Sequence, residues 1–117
     1  MRAASWDAVS AAIEEAYRAE GYAVTRASGN GADFEVARAG RSTLVACKRW
    51  KVARTGIEPL RELHAAALAR EVPDCVYIAA GEVSANALAF AAEKRIRLLH
   101  GAELAKMMLQ TSLLRGR

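Results

Sequence analysis

At 117 residues the chain is long enough for one domain and too short for two of ordinary size. Hydrophobic residues make up 53%, so a core can form, and no run of about 20 apolar residues occurs, which excludes a membrane-spanning helix. The formal net charge is +4 and the pI about 9.4, modestly basic, so any partner favoured by charge is a polyanion.

Ser5 can cap a first helix over Trp6–Glu20, whose apolar positions Trp6, Val9, Ile13, Ala16 and Tyr17 form one stripe. Gly21 ends it. "YAVTRA" then reads as a short strand and "SGNG" as a turn. "ADFEVAR" and "STLVACKRW" read as a β-hairpin around Ala39-Gly40. On the first strand Phe34 and Val36 share one face, Asp33 and Glu35 the other. On the second, Leu44, Ala46 and Lys48 share one face, Val45, Cys47 and Arg49 the other. With an even loop the paired residue numbers sum to 79, so Asp33 faces Ala46 and Lys48 lies diagonally within reach. A three-residue loop would shift that register.

"KVARTGIE" reads as a basic loop, and Pro59 as the start of a helix over Pro59–Arg70 with Leu60, Leu63, Ala67 and Leu68 facing inward. "DCVYIAAG" is a continuous apolar run, the pattern of a central strand. Ser84 can cap a third helix ending near Lys94. "IRLLH" is a fifth strand, "GAELAKMMLQ" a last helix, and residues 111–117 a frayed tail. The expected organisation is a single domain over residues 1–117 with an ordered core of about 5–110. The element order is α-β-β-β-α-β-α-β-α, which implies a mixed sheet with helices on both faces.

Charge is unevenly spread. Residues 1–37 carry three basic and six acidic side chains, residues 38–61 seven and one, and residues 62–117 seven and six. The positive charge therefore gathers on the second hairpin strand and the loop after it, either as a solvated face or as the footprint of a polyanion binder. Cys47 and Cys75 lie far apart in apolar runs, not in a zinc pattern, and read as buried reduced thiols. With no signal peptide legible after Met1, the expected address is cytoplasmic. His64 near the inner stripe of its helix, His100 at a strand end, Trp50 beside the second helix, and Met107 and Met108 in the last helix all read as structural.

In this order, "EGYAV", "GADFEVARAG", "LVACKRW", "IEPLRELHAA" and "VYIAAGEVSANALAFAAEKRIRLLHGAEL" resemble the catalytic domain of Mrr-type restriction endonucleases, in the PD-(D/E)xK nuclease superfamily. The resemblance runs from about Trp6 to Met107. It implies an α/β, restriction endonuclease-like fold, with a mixed central sheet of about five strands flanked by helices. It also implies a Mg²⁺-dependent phosphodiesterase acting on double-stranded DNA, in many relatives as a dimer because two strands need two sites. Asp33 matches the family's metal-binding aspartate and Lys48 its catalytic lysine. Beside such a hairpin, Arg49, Lys51 and Arg54 are expected phosphate contacts.

The departure is Ala46, where the family holds Glu or Gln. Alanine offers no oxygen, and Mg²⁺ normally takes one or two carboxylates plus substrate phosphate. Some relatives place a further acid in the first helix. That position falls near Ser10, with Glu14 and Glu15 one turn later. Glu35 could supply the missing oxygen, or be a salt-bridged strand residue. Three functions follow. One is a DNA endonuclease; another is a DNA-binding domain disabled by Ala46; the last is an interaction or oligomerisation scaffold. Mrr-type domains often stand behind a DNA-recognition module or membrane helices, neither of which this sequence contains.

Overall fold

The computed structural model describes residues 6–27, 31–47, 53–79 and 81–99. In chain order these form α1 (Trp6–Ala19), β1 (Ala23–Arg26), β2 (Phe34–Arg38), β3 (Arg41–Ala46), β4 (Arg54–Thr55), α2 (Ile57–Arg70), β5 (Asp74–Ile78), β6 (Glu82–Val83), α3 (Ala85–Lys94) and β7 (Ile96–Leu99). Several expectations lie outside the described residues: the Ser5 cap, the "SGN" of the turn, Lys48, Arg49, Trp50 and Lys51, and everything from His100 to the tail, including Met107 and Met108.

Five strands make one sheet in the order β1-β2-β3-β5-β7. β1, β2 and β3 are antiparallel neighbours, while β5 pairs in parallel with both β3 and β7. This is the mixed, helix-flanked sheet the sequence implied. Parallel neighbours need crossovers, and α2 and α3 supply them. Two successive right-handed crossovers stepping the same way across a sheet lie on the same face. Accordingly Leu60, Leu63 and Ala67 of α2 and Ala87 and Ala91 of α3 pack with Leu44, Ala46, Cys75, Tyr77 and Ile96. The other face carries Phe34, Val36, Val45, Val76, Ile78 and Leu99, packed with Ala12, Ile13 and Tyr17 of α1.

The hairpin register is the expected one. Phe34 pairs with Val45 and Arg38 with Arg41, so paired numbers sum to 79. The two turn residues both adopt left-handed backbone, Ala39 at φ 56° and Gly40 at φ 78°. That is the turn whose twist matches a two-residue hairpin. Gly21, at φ 91°, ends α1 as expected, and Tyr22 N–H bonds the Tyr17 carbonyl at 3.1 Å. Ser84 Oγ accepts from Ala87 N–H at 3.1 Å and caps α3.

Three expectations are corrected. Leu68 does not face inward; it is 66% exposed. The buried stripe runs through Leu60, Leu63 and Ala67, and the next residue lies about 100° further round the helix. The second helix begins at Ile57, two residues before the expected start, and Pro59 sits in its first turn as expected. Within the stretch read as a loop, β4 pairs in parallel with β6. Each has two residues, too few for an alternating pattern to show. Glu82 N–H bonds the Ala53 carbonyl and Ser84 N–H the Thr55 carbonyl, each at 2.9 Å, tying the segment after β3 to the one after β5.

Gly31 sets the approach to β2. Its φ is +93°, and a Cβ there would lie 2.5 Å from the Glu62 carbonyl oxygen on α2. Gly40 has a similar φ but open space around it. Gly40→Ala should therefore cost about 1–2 kcal/mol, the left-handed penalty alone. Gly31→Ala should cost roughly 2–4 kcal/mol, because the backbone collision adds to it. Urea denaturation of both variants checks the order; equal losses would contradict the close packing of residue 31 on α2.

Candidate active site

The candidate site lies where the chain enters β2 and leaves β3. Ala32 packs into the core on the α2–α3 face, whereas Phe34 packs into the core on the α1 face. The regular alternation therefore breaks at Asp33, which stands at a bend just before the strand rather than inside it. Asp33 N–H donates to the Val45 carbonyl at 2.8 Å, and the Asp33 carbonyl accepts from Ala27 N–H at 2.9 Å. Its carboxylate Oδ2 accepts the backbone N–H of Cys47 at 2.7 Å. A side-chain oxygen thus holds the first amide beyond β3. Such a charge-assisted bond is about twice as strong as one between neutral groups.

The hairpin ladder ends at the pair Phe34–Val45, and Ala46, the next residue of β3, pairs in parallel with Tyr77 of β5. Ala46 is 7% exposed, and its methyl group belongs to the α2–α3 side core. Glu35 pairs with Leu44 on the ladder, and its carboxylate meets Arg70 of α2 at 3.3 Å. Both side chains are more than a third exposed, so the pair is worth about 0–1 kcal/mol. The structure therefore sets Asp33 and Glu35 on one short segment and gives each oxygen group a protein partner.

In the first helix, Glu14 is already committed to ion pairs. Ser10 is 1% exposed, and its hydroxyl accepts from Arg26 Nη2 at 3.4 Å. Arg26 also meets Glu14 at 3.3 Å and lies over the Phe34 ring at 4.9 Å. Glu14 is held again by Arg18 at 2.7 Å. Of the expected DNA contacts, Arg54 lies on β4, exposed and without an ion pair among the described residues. Lys48, Arg49 and Lys51 lie outside them.

Mg²⁺ asks for near-octahedral oxygen ligands at about 2.0–2.1 Å. Among the described residues no three His, Cys, Asp or Glu side chains come together as a metal-holding group. Asp33 has one oxygen committed to Cys47, Ala46 has none to give, and Glu35 is paired with Arg70. That donor set does not fit the ion.

Sequence reasoning missed the Asp33–Cys47 clasp, the Gly31–Glu62 contact and the Arg26 hub. Glycine before an acid hints at a tight approach, but which backbone it meets depends on α2, far along the chain. Thr55, also missed, is 2% exposed and its Oγ1 has no hydrogen-bond partner among the described residues. His64 is half-buried with its ring edge-on to Phe90 at 5.9 Å, in keeping with a structural role.

Both cysteines are free and buried. Burial pushes the Cys47 thiol far above its usual range, the Asp33 carboxylate adds to that, and Arg26 opposes it. Burial also raises Cys75, helped by Asp74.

A family model described as restriction endonuclease matches residues 1–108. Members of that family are typically metal-dependent, with DNA as substrate. No curated protein matches the chain. The crystal structure of a protein of unknown function, AF1548, superposes with a TM-score of 0.66 at 13% identity. The match covers 84% of this chain and 61% of that one, so this chain spans less than two thirds of its neighbour. At that identity the likeness shows the fold alone. No helix among the described residues is long and apolar enough to cross a membrane.

Two outcomes follow. Asp33→Ala removes the Cys47 acceptor and should cost about 1–3 kcal/mol in urea denaturation, whereas Asp33→Asn keeps an acceptor and should cost less. Equal losses would contradict the clasp. The raised thiols should also leave little thiolate in the folded protein at pH 8, below that of a free cysteine with a pKa of about 8.5. An aromatic disulfide reagent should label both cysteines only on unfolding; rapid labelling of the native protein would contradict their placement.

Proposed function

The chain belongs to the Mrr-type restriction endonuclease family, and on that premise we propose that it binds double-stranded DNA while its Asp33 site is unfit for metal-dependent cleavage. The observation that carries this reading is the buried methyl of Ala46 at the end of β3, where the family offers Glu or Gln. The clasp to Cys47 supports it, because the remaining carboxylate already holds the end of β3.

Binding rests on a different part of the chain. Residues 38–61 carry seven basic side chains and one acid. Arg54 is exposed and unpaired among the described residues. Arg49, Lys51 and Arg54 then act as phosphate contacts, which position a duplex without reading its sequence. Lys48 adds a further cation at the strand end. A fixed basic rim gains affinity by releasing counterions from the DNA, so its strength falls steeply with salt.

A second reading keeps residual hydrolysis. Glu35 supplies the missing oxygen if it exchanges Arg70 for a metal ion at Asp33. The surface pair it would give up is weak, so this exchange costs about 1 kcal/mol or less. Even then Mg²⁺ would be held by two carboxylates of one segment, one of them already sharing its charge with Cys47. A homodimer, the arrangement double-strand cleavage would need, follows only from that second reading. The scaffold alternative, an interaction or oligomerisation domain that ignores DNA, leaves the basic segment without a role.

DNA binding across a salt series tests the proposal. Wild type should lose affinity linearly on a log–log plot, with a slope of about −0.9 for each phosphate neutralised. Arg49→Ala, Lys51→Ala and Arg54→Ala together should flatten that slope by about 2–3. An unchanged slope would remove these residues from the interface. No DNA binding at low salt would favour the scaffold.

A further inference from the structure

A cavity of about 220 Å³ opens on the α1 face of the sheet, at the end away from Asp33. Tyr17 and Tyr22 wall it from the α1 side, with their rings edge-to-face at 5.2 Å. Thr43, Asp74, Arg95 and Arg97 line it from β3, β5 and the turn into β7. Thr43 lies three residues before Ala46 on β3, about 10 Å along the strand. The cavity and the candidate nuclease site are therefore at opposite ends of the same strand.

The charge here is one-sided. The one acid in the lining, Asp74, is held by Arg41 through Nε to Oδ2 and through Nη2 to Oδ1, the latter at 3.1 Å. Arg95 and Arg97 make no side-chain hydrogen bond or ion pair among the described residues. Arg95 caps the end of α3 through its backbone N–H to the Ala91 and Ala92 carbonyls, and its side chain is exposed. Arg38 adds another cation behind the wall, 4.4 Å over the Tyr22 ring. Burial pushes the Tyr17 phenol far above its usual range, with Tyr22 and Cys47 adding to the rise and Arg97 opposing it. The Tyr17 hydroxyl thus stays protonated at neutral pH, within the field of Arg97.

We propose that this cavity binds a small phosphate-class dianion, inorganic phosphate or the phosphoryl group of a monoester, between Arg95 and Arg97 and against the tyrosine and threonine hydroxyls. Guanidinium forks match phosphate oxygens in pairs, and the hydroxyls add donors of the right reach. At about 220 Å³ the cavity is smaller than pockets for drug-sized ligands, about 300–1,000 Å³, so it suits a phosphoryl group, and its open side lets the rest of a monoester lie outside. The proposal is independent of DNA binding by the basic segment, since none of the residues put forward for that segment lines the cavity.

Calorimetric titration of the whole chain at pH 7.5, at matched ionic strength in sodium chloride, tests it with two probes: inorganic phosphate and 2′-deoxyadenosine 5′-monophosphate. Wild type should bind with one-to-one saturation. Tighter binding of the nucleotide assigns the site to monoesters, and equal binding assigns it to the free ion. Arg97→Ala should weaken binding at least about tenfold. Tyr17→Phe keeps the ring, removes one donor and should weaken it a few-fold, giving a second reading should Arg97→Ala fold poorly. Arg97→Ala should leave the salt slope of DNA binding unchanged, so failure here and failure of the DNA proposal are separable. No saturable binding of either probe, or equal affinity in wild type and both variants, overturns the site.

Discussion

The hairpin turn at Ala39 and Gly40 is the constraint on which the candidate site depends. Two consecutive left-handed residues fix a two-residue loop, and that loop fixes every pair between β2 and β3. A slip of one residue would send Phe34 and Val45 out of the α1-side core and leave Glu35 and Leu44 on the wrong face. The same register sets Val45 beside the entry to β2, where its carbonyl accepts the Asp33 N–H, with Ala46 next along β3. The layout of the site therefore depends on a turn at the far end of the hairpin, and the core on both faces penalises any other pairing.

Asp33, the acid that matches the family's metal ligand, also serves the scaffold. Its main-chain N–H and carbonyl bond Val45 and Ala27, and its carboxylate holds the Cys47 amide. Gly31, two residues earlier, lies against the α2 backbone. The segment is thus pinned between β1, β3 and α2. Glu35 ties the same strand to the last turn of α2 through Arg70. These contacts account for Asp33 as a structural residue without calling on a metal ion.

Much of this was legible in the sequence, for identifiable reasons. The helix stripes, the Ser84 cap, the Gly21 stop and the Ala39-Gly40 turn are local signals, and each appears where the residues place it. The apolar run from Cys75 to Ile78 marks a strand buried on both faces, and β5 is one, with parallel neighbours on either side. The pairing of β4 with β6 was not legible, because two-residue strands carry no period and their partners lie far apart in the chain. Leu68 was misplaced because a helix stripe one residue too wide takes in the exposed side. Asp33 was read as a strand residue, whereas the bend there lets Ala32 and Phe34 enter opposite cores. The clasp to Cys47 depends on that bend. The anion cavity was invisible for a similar reason: Tyr17, Thr43 and Arg97 come from three distant segments.

The most direct test of the account is nicking of supercoiled plasmid with Mg²⁺ or Mn²⁺, comparing wild type with Asp33→Asn. If Asp33 is a structural clasp beside an empty ligand position, neither protein nicks above background, while wild type still retards the plasmid at low salt. If wild type nicks and Asp33→Asn does not, a metal ion works at Asp33, another group replaces the ligand missing at Ala46, and the account is wrong.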